Sequence, residues 1–163
     1  MSSEKPCIQV VVVSDRVSEG FAEDLSGSLM ESKLIEKGLC IAPKITVRNV
    51  PREILGVLRT SSSRVLVFIG GTGPSPRDIT VDVVEQAAWR CLPGFGEYFR
   101  RISLERVGVK ALLSRATLCI LHDGKVVFVL PGSPDAASIG ADIISQLLDH
   151  LIEEVDRFEH LHK

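Results

Sequence analysis

An α/β domain with a mostly parallel sheet, helices on both faces and a small β-hairpin near its C-terminal end is the fold class this sequence predicts, on three observations. Short continuous apolar runs, Ile8 to Val13, Val65 to Ile69 and Val126 to Leu130, have the length and β-branched content of strands buried on both faces. Each runs into a loop rich in Gly, Ser, Asp or Pro that leads to a helical pattern, so strands and helices alternate. Asp123-Gly124, between two apolar runs, is the strongest short hairpin signal available.

Taken in order, Ile8 to Val13 ends in Ser14-Asp15-Arg16, and a loop through Asp24 leads to a helix of roughly Ser26 to Lys37, stopped by Gly38. Asp24 and Ser26 are good capping types, whereas Asp15, just off a strand end, is harder to explain that way. Cys40 to Val50 reads as the next strand, Arg52 to Arg59 as a short helix and Arg64 to Ile69 as a strand. Gly70-Gly71-Thr72-Gly73 then forms a loop, and Thr80 caps a helix through Trp89. Leu92 to Gly96 breaks the pattern before helical pieces at Glu97 to Arg106 and Val109 to Leu113, where Arg100, Arg101 and Arg106 with Glu97 and Glu105 form a solvated face. Ala116 to Leu121 and Lys125 to Leu130 make the hairpin. Ser133, Pro134 and Asp135 suit the cap, first position and first turn of a last helix reaching His160, whose wide apolar stripe covers the sheet or meets another subunit. His150, His160 and His162 read as solvated tail.

The length of 163 residues fits one domain, 1–163, with a full core. A balance of 19 basic against 21 acidic residues argues against nucleic acid or an anionic membrane as partner. No apolar run approaches the roughly 20 residues of a membrane span, and the first residues lack a signal peptide's order. The expectation is a cytoplasmic protein with a small ligand. Cys7, Cys40, Cys91 and Cys119 are scattered without a C-x-x-C pair and read as buried thiols.

The glycine loop carries the chemistry. Glycines after a strand let the backbone approach a ligand, and the helix start beyond attracts negative charge. The third glycine of the dinucleotide fingerprint and the Gly-Lys-Ser/Thr of the P-loop are both missing. Instead, Arg77-Asp78 sets a cation and a carboxylate beside the candidate anion site. In a parallel sheet, ligands lie beyond the carboxyl ends of strands. The loops at Ser14 to Gly27, Gly70 to Asp78 and Pro131 to Asp135 should therefore converge. They offer glycine N–H groups, the hydroxyls of Thr72, Ser26 and Ser133, and the carboxylates Asp15, Asp24 and Asp78. Hydroxyls and N–H groups suit phosphate and carboxylates suit Mg²⁺, so the site suits a phosphorylated ligand, with nucleotide and Mg²⁺.

Gly-Gly-Thr-Gly-Pro-Ser-Pro-Arg-Asp-Ile-Thr, Ser14-Asp15-Arg16 with Asp24-x-Ser-Gly, Leu-Pro-Gly-Phe-Gly-Glu at 92 to 97, Leu-Ser-Arg at 113 to 115 and Pro-Gly-Ser-Pro at 131 to 134 resemble the molybdenum cofactor biosynthesis family of MogA and MoaB type, which includes gephyrin's amino-terminal part. The resemblance covers about residues 7 to 155. It implies a three-layer α/β/α domain, commonly a trimer, that binds molybdopterin and transfers AMP from MgATP to its terminal phosphate, its product passing to a molybdenum-insertion enzyme. By similarity, Asp15, Ser26 and Asp78 fall on the nucleotide and Mg²⁺ side. Gly70, Gly71, Thr72 and Gly73 hold phosphate, and Ser114, Arg115, Gly132 and Ser133 lie toward the pterin phosphate. One departure matters: the catalytic aspartate usual after the second strand is Arg52 here, so Glu53 stands in by a one-residue shift or Asp24 holds metal with Asp78. Otherwise the chain binds molybdopterin without turnover; a separate alternative, from the shared domain, is a nucleotide pyrophosphatase of the competence-damage-protein type.

Overall fold

The computed structural model describes residues 5–158. Six strands form one sheet: β1 (Ile8–Val13), β2 (Ile45–Val47), β3 (Val65–Ile69), β4 (Ala88–Cys91), β5 (Thr117–Leu121) and β6 (Val126–Leu130), in the order β2-β1-β3-β6-β5-β4. β2, β1, β3 and β6 are parallel, β5 runs antiparallel to β6, and β4 antiparallel to β5. The helices are α1 (Asp15–Ser18), α2 (Leu25–Glu36), α3 (Pro51–Thr60), α4 (Thr80–Ala87), α5 (Pro93–Val107) and α6 (Pro134–Val155), with a 3₁₀ helix at Gly108–Leu113. None of them is long and apolar enough to cross a membrane.

Successive strand side chains point to opposite faces, so strands covered on both sides must be apolar throughout, and β3, β5 and β6 are buried at every position. Val10, Val12, Val67, Phe128 and Leu130 pack on one face with Met30 and Leu34 of α2, Phe99 of α5 and Ile139, Ile144 and Leu148 of α6. Val11, Leu66, Phe68 and Val127 pack on the other with Ile54 and Leu58 of α3 and Val81 and Val84 of α4. Three layers result. Most of the α6 stripe packs on this core, as sheet covering requires, while Leu147, Ile152 and Val155 are only partly buried. The expected end of α6 at His160 lies outside the described residues.

Several boundaries move. Cys40 to Val50 yields only three ladder residues, because Pro43 offers no N–H; Ile41 makes an isolated bridge to Ile8. The helix expected through Trp89 stops at Ala87, and Ala88–Cys91 becomes the antiparallel edge strand β4. Pro93 occupies the first turn of α5 instead of breaking the pattern. Gly96 lies inside that helix, since a Cβ there would meet the Ala116 carbonyl. Arg100 donates to the Ser114 carbonyl at 3.2 Å and Arg106 stands 3.7 Å from Asp135, so the expected solvated face is partly tied down.

The cysteines are not buried thiols. Cys7–Cys40 and Cys91–Cys119 are disulfides, and Cys40 is exposed. Cys91 and Cys119 face each other across β4 and β5, a pairing that strand register creates and spacing does not announce. The bonds span 33 and 28 residues, and closing loops of that size is worth about 3–4 kcal/mol each. Reduction with dithiothreitol should lower the thermal midpoint by about 10 °C per bridge, as should serine replacement of either pair.

Candidate functional site

The carboxyl ends of β1, β3 and β6 lie side by side because these strands are neighbours in the sheet. The loops that leave them line three adjoining pockets. The first, about 290 Å³, is bounded by Ser14, Asp24, Ser26, Gly70 and Gly132. The second, about 320 Å³, is bounded by Asp15, Arg16, Asn49, Gly71, Arg77 and Asp78. The third, about 240 Å³, takes Thr72, Ser114 and Ser133 with Lys110 and apolar walls that include Phe99 and Ile139. Gly70, Gly71 and Thr72 thus face three different pockets, and the glycine loop is the partition between them.

Its path depends on two left-handed residues. Gly70 has φ +110° and its N–H donates to the Leu130 carbonyl at 2.8 Å, while a Cβ would stand 2.6 Å from the Val13 carbonyl oxygen. Gly71 has φ +75° and lies against Thr80, whose N–H it accepts at 3.2 Å. The Gly70 N–H is therefore consumed by the sheet. Those of Gly71, Thr72 and Gly73 have no partner within the described residues. Beyond them, Asp78 Oδ2 accepts the Ser75 N–H at 3.0 Å and Asp78 N–H donates to the Ser75 carbonyl at 2.9 Å.

Arg115 takes a different place from the one the motifs imply. Its guanidinium donates to Asp82 at 2.7 and 3.0 Å, to the Gly73 carbonyl at 3.1 Å and to the Asp78 carbonyl at 2.8 Å. Its backbone N–H donates to the Thr72 carbonyl at 2.8 Å. Arg115 is a strut that holds the glycine loop from behind, and it lines a separate pocket on the far side of Ser114. The hydrogen bonds from Arg115, followed by its charge, hold the Asp82 carboxyl below its ordinary 3.8. Stability from a lowered carboxyl is present above its unfolded pKa and is lost as pH falls through the folded one. The strut is therefore intact at neutrality and opens only in acid below that value. Because the pair is partly exposed, its global worth is about 0–1 kcal/mol, and the effect is local. In Asp82→Asn, hydrogen exchange of the hydrogen-bonded loop amides of Gly70, Ser75 and Asp78 at pH 7 should rise about tenfold with the thermal midpoint nearly unchanged.

Two other candidate carboxylates are engaged. Asp24 caps α2, its Oδ1 accepting the Gly27 N–H at 2.8 Å. Its buried Oδ2 stands 2.6 Å from the Lys44 ammonium, as an ion pair outside hydrogen-bond alignment. Glu53 accepts the Arg48 N–H and Nε–H, each at 2.7 Å, and these bonds lower its pKa. Neither Glu53 nor the exposed Arg52 lines any of the three pockets. Ser26 donates to the Gly132 carbonyl at 3.1 Å, tying α2 to the β6 loop, and Ser133 caps α6 by accepting the Ala136 N–H at 3.2 Å.

Asp15 and Asp78 do share a pocket, and with them stands Asn49, which sequence reasoning missed. Asn49 Oδ1 is buried without a partner. No group of three His, Cys, Asp or Glu forms among the described residues. Two carboxylates and an orphaned amide oxygen nonetheless fit Mg²⁺, which keeps waters and completes its shell with substrate phosphate. Asp24 and Asp78, paired as metal ligands in the sequence reading, line different pockets. Lys110 was missed as well; the signal available was that it is the only cation in the 3₁₀ segment.

Fold and crevice together define a class: a three-layer α/β protein whose ligand pockets open at the carboxyl ends of parallel strands, divided by a glycine loop. The comparisons make this specific. A model described as a probable molybdopterin binding domain matches residues 9–150, and the chain belongs to that family. It is 35% identical over 149 residues to the molybdopterin adenylyltransferase of Pyrococcus furiosus, covering 88% of each chain. It is 33% identical over 153 residues to the molybdenum cofactor biosynthesis protein B of Bacillus subtilis, covering 90% of this chain and 88% of that one. The crystal structure of the tungsten cofactor synthesizing protein MoaB from Pyrococcus furiosus superposes with a TM-score of 0.85 at 34% identity, over 94% of this chain and 99% of that one.

Proposed function

We infer that this chain binds molybdopterin and transfers AMP from MgATP to its terminal phosphate, releasing pyrophosphate. The observation that carries the reading is the contrast across the glycine loop. On one side lie Asp15, Asp78, Arg16 and Arg77. On the other lies a largely apolar pocket edged by Ser103, Ser114 and Ser133 and by the opposite charges Lys110 and Asp135. The charged side suits a polyphosphate, and the apolar side suits a flat heterocycle with polar edges and a phosphate tail. A terminal phosphate oxygen of molybdopterin would attack the α-phosphorus of ATP across the loop, forming one P–O bond and breaking that to pyrophosphate. The free N–H groups of Gly71, Thr72 and Gly73 would hold the phosphates in line, since phosphoryl-group transfer depends mainly on positioning and charge neutralisation. Asp15 and Asp78, with Asn49, would hold Mg²⁺, whose part when bound is to neutralise the polyphosphate.

The engagement of Glu53 by Arg48 favours a second reading, binding without turnover, because it ties up the carboxylate that follows Arg52 in the chain. Pyrophosphate release from MgATP with and without molybdopterin decides between them, run beside Arg52→Asp. Molybdopterin-dependent release establishes the transferase, and release only in Arg52→Asp establishes the binding protein. Release without molybdopterin would indicate the pyrophosphatase. We place the protein in the cytoplasm; two disulfides are unusual for that compartment, whose reductants oppose such bonds. We also expect a trimer or a multiple of it, since Val109, Leu112 and Leu113 are exposed at 77%, 64% and 60%. Sedimentation velocity at micromolar concentration should give at least three times the chain mass, and a monomer alone would count against this.

A further inference from the structure

Arg77 leaves the glycine loop with its side chain 80% exposed, yet its Nη2 donates to Asp15 Oδ2 at 3.2 Å. The pair joins the loop after β3 to the start of α1 across the second pocket. Asn49 completes the tie. Its N–H donates to Asp15 Oδ1 at 2.8 Å, and its side-chain amide donates to the Arg77 carbonyl. Both oxygens of Asp15 thereby accept from groups of this chain.

An exposed ion pair of this kind is worth about 0–1 kcal/mol, so a ligand with several negative charges can exchange it. The guanidinium fork matches phosphate oxygens as well as it matches a carboxylate. Asp15 without Arg77 would repel a phosphate in the same pocket, and Arg77 turned to a phosphate would leave Asp15 uncovered beside Asp78. We propose that the Arg77–Asp15 pair is an exchange latch: an entering polyphosphate draws Arg77 from Asp15, and the uncovered carboxylate then joins Asp78 in facing a divalent cation. Arg77 is the residue that receives the polyphosphate, and Asp15 makes its reception depend on the cation. The inference rests on the nucleotide reading of this pocket and adds to it an order of events within the chain's own residues.

The latch predicts opposite signs for one substitution under two conditions. Calorimetric titration of the full chain with inorganic pyrophosphate and with ATP, each in EDTA and in magnesium, reads them directly. Arg77→Gln should weaken binding about tenfold in both conditions, and Arg77→Lys, which keeps charge without the fork, should fall between. Asp15→Asn should tighten binding in EDTA by several-fold, because Arg77 is released and repulsion removed, and weaken it about tenfold in magnesium. The Asn side chain still offers an oxygen to the Asn49 N–H, so thermal midpoints should stay close to that of the natural chain. Unchanged binding in Arg77→Gln overturns the latch, as does equal weakening by Asp15→Asn in EDTA and magnesium; either leaves the nucleotide reading standing. Failure of the natural chain to bind ATP or pyrophosphate in either condition overturns both.

Discussion

Asp78→Ala is expected to cut magnesium-dependent pyrophosphate release by about 10²–10³-fold, the usual scale of lost charge stabilisation in a transition state, here through the weaker hold on the magnesium that offsets phosphate charge. The same change should lower the thermal midpoint by only a few degrees. Asp78 is a half-buried loop residue outside both apolar cores. Truncation sacrifices the bond from the Ser75 N–H, worth about 0.5–1.5 kcal/mol. Asp78→Asn separates anchoring from charge, because its amide oxygen can still accept from Ser75. Turnover should stay low in Asp78→Asn as well. If asparagine restores turnover, Asp78 serves only to shape the loop and its assignment to the metal is wrong.

Gly70→Ala should destabilise the protein by about 3–5 kcal/mol and abolish ligand binding together with activity. A side chain at φ +110° is strained wherever it sits. Here its Cβ would also press on the Val13 carbonyl oxygen, part of a backbone held by pairing of Val13 with Val47 of β2. The displaced loop would close one pocket into the next. Gly94→Ala, by contrast, lies in α5 with open space around it. It should be neutral or stabilising by up to about 1 kcal/mol, since it removes backbone entropy from the unfolded chain. Urea unfolding of the two variants side by side checks both values.

What could be read in advance follows the range of the interactions involved. β1, β3 and β6 announce themselves because a strand covered on both faces must be apolar at every position, and the Ser133-Pro134-Asp135 cap is local chemistry. β4 was hidden. Ala88-Trp89-Arg90-Cys91 continues the helical pattern from Thr80, and only pairing with β5 makes it a strand. The short helix α1 was overlooked although Ser14 caps it by accepting the Val17 N–H at 3.2 Å. The glycine loop and its neighbouring carboxylates were legible as a place. Which of them face a ligand was not, because that depends on partners distant in sequence: Lys44 for Asp24, Asp82 for Arg115, Asn49 for Asp15.

The two rims of the sheet carry a consequence for how copies can meet. β2 at one rim has three residues, and β4 at the other has four with an irregular register. Neither presents a straight row of donors and acceptors long enough to template a neighbour's backbone. Copies that associate must do so through side chains on helices and loops, and the sheet ends with the chain that made it. The same brevity guards a refolding chain, since a strand of this length that opens too early offers little for a second molecule to graft onto.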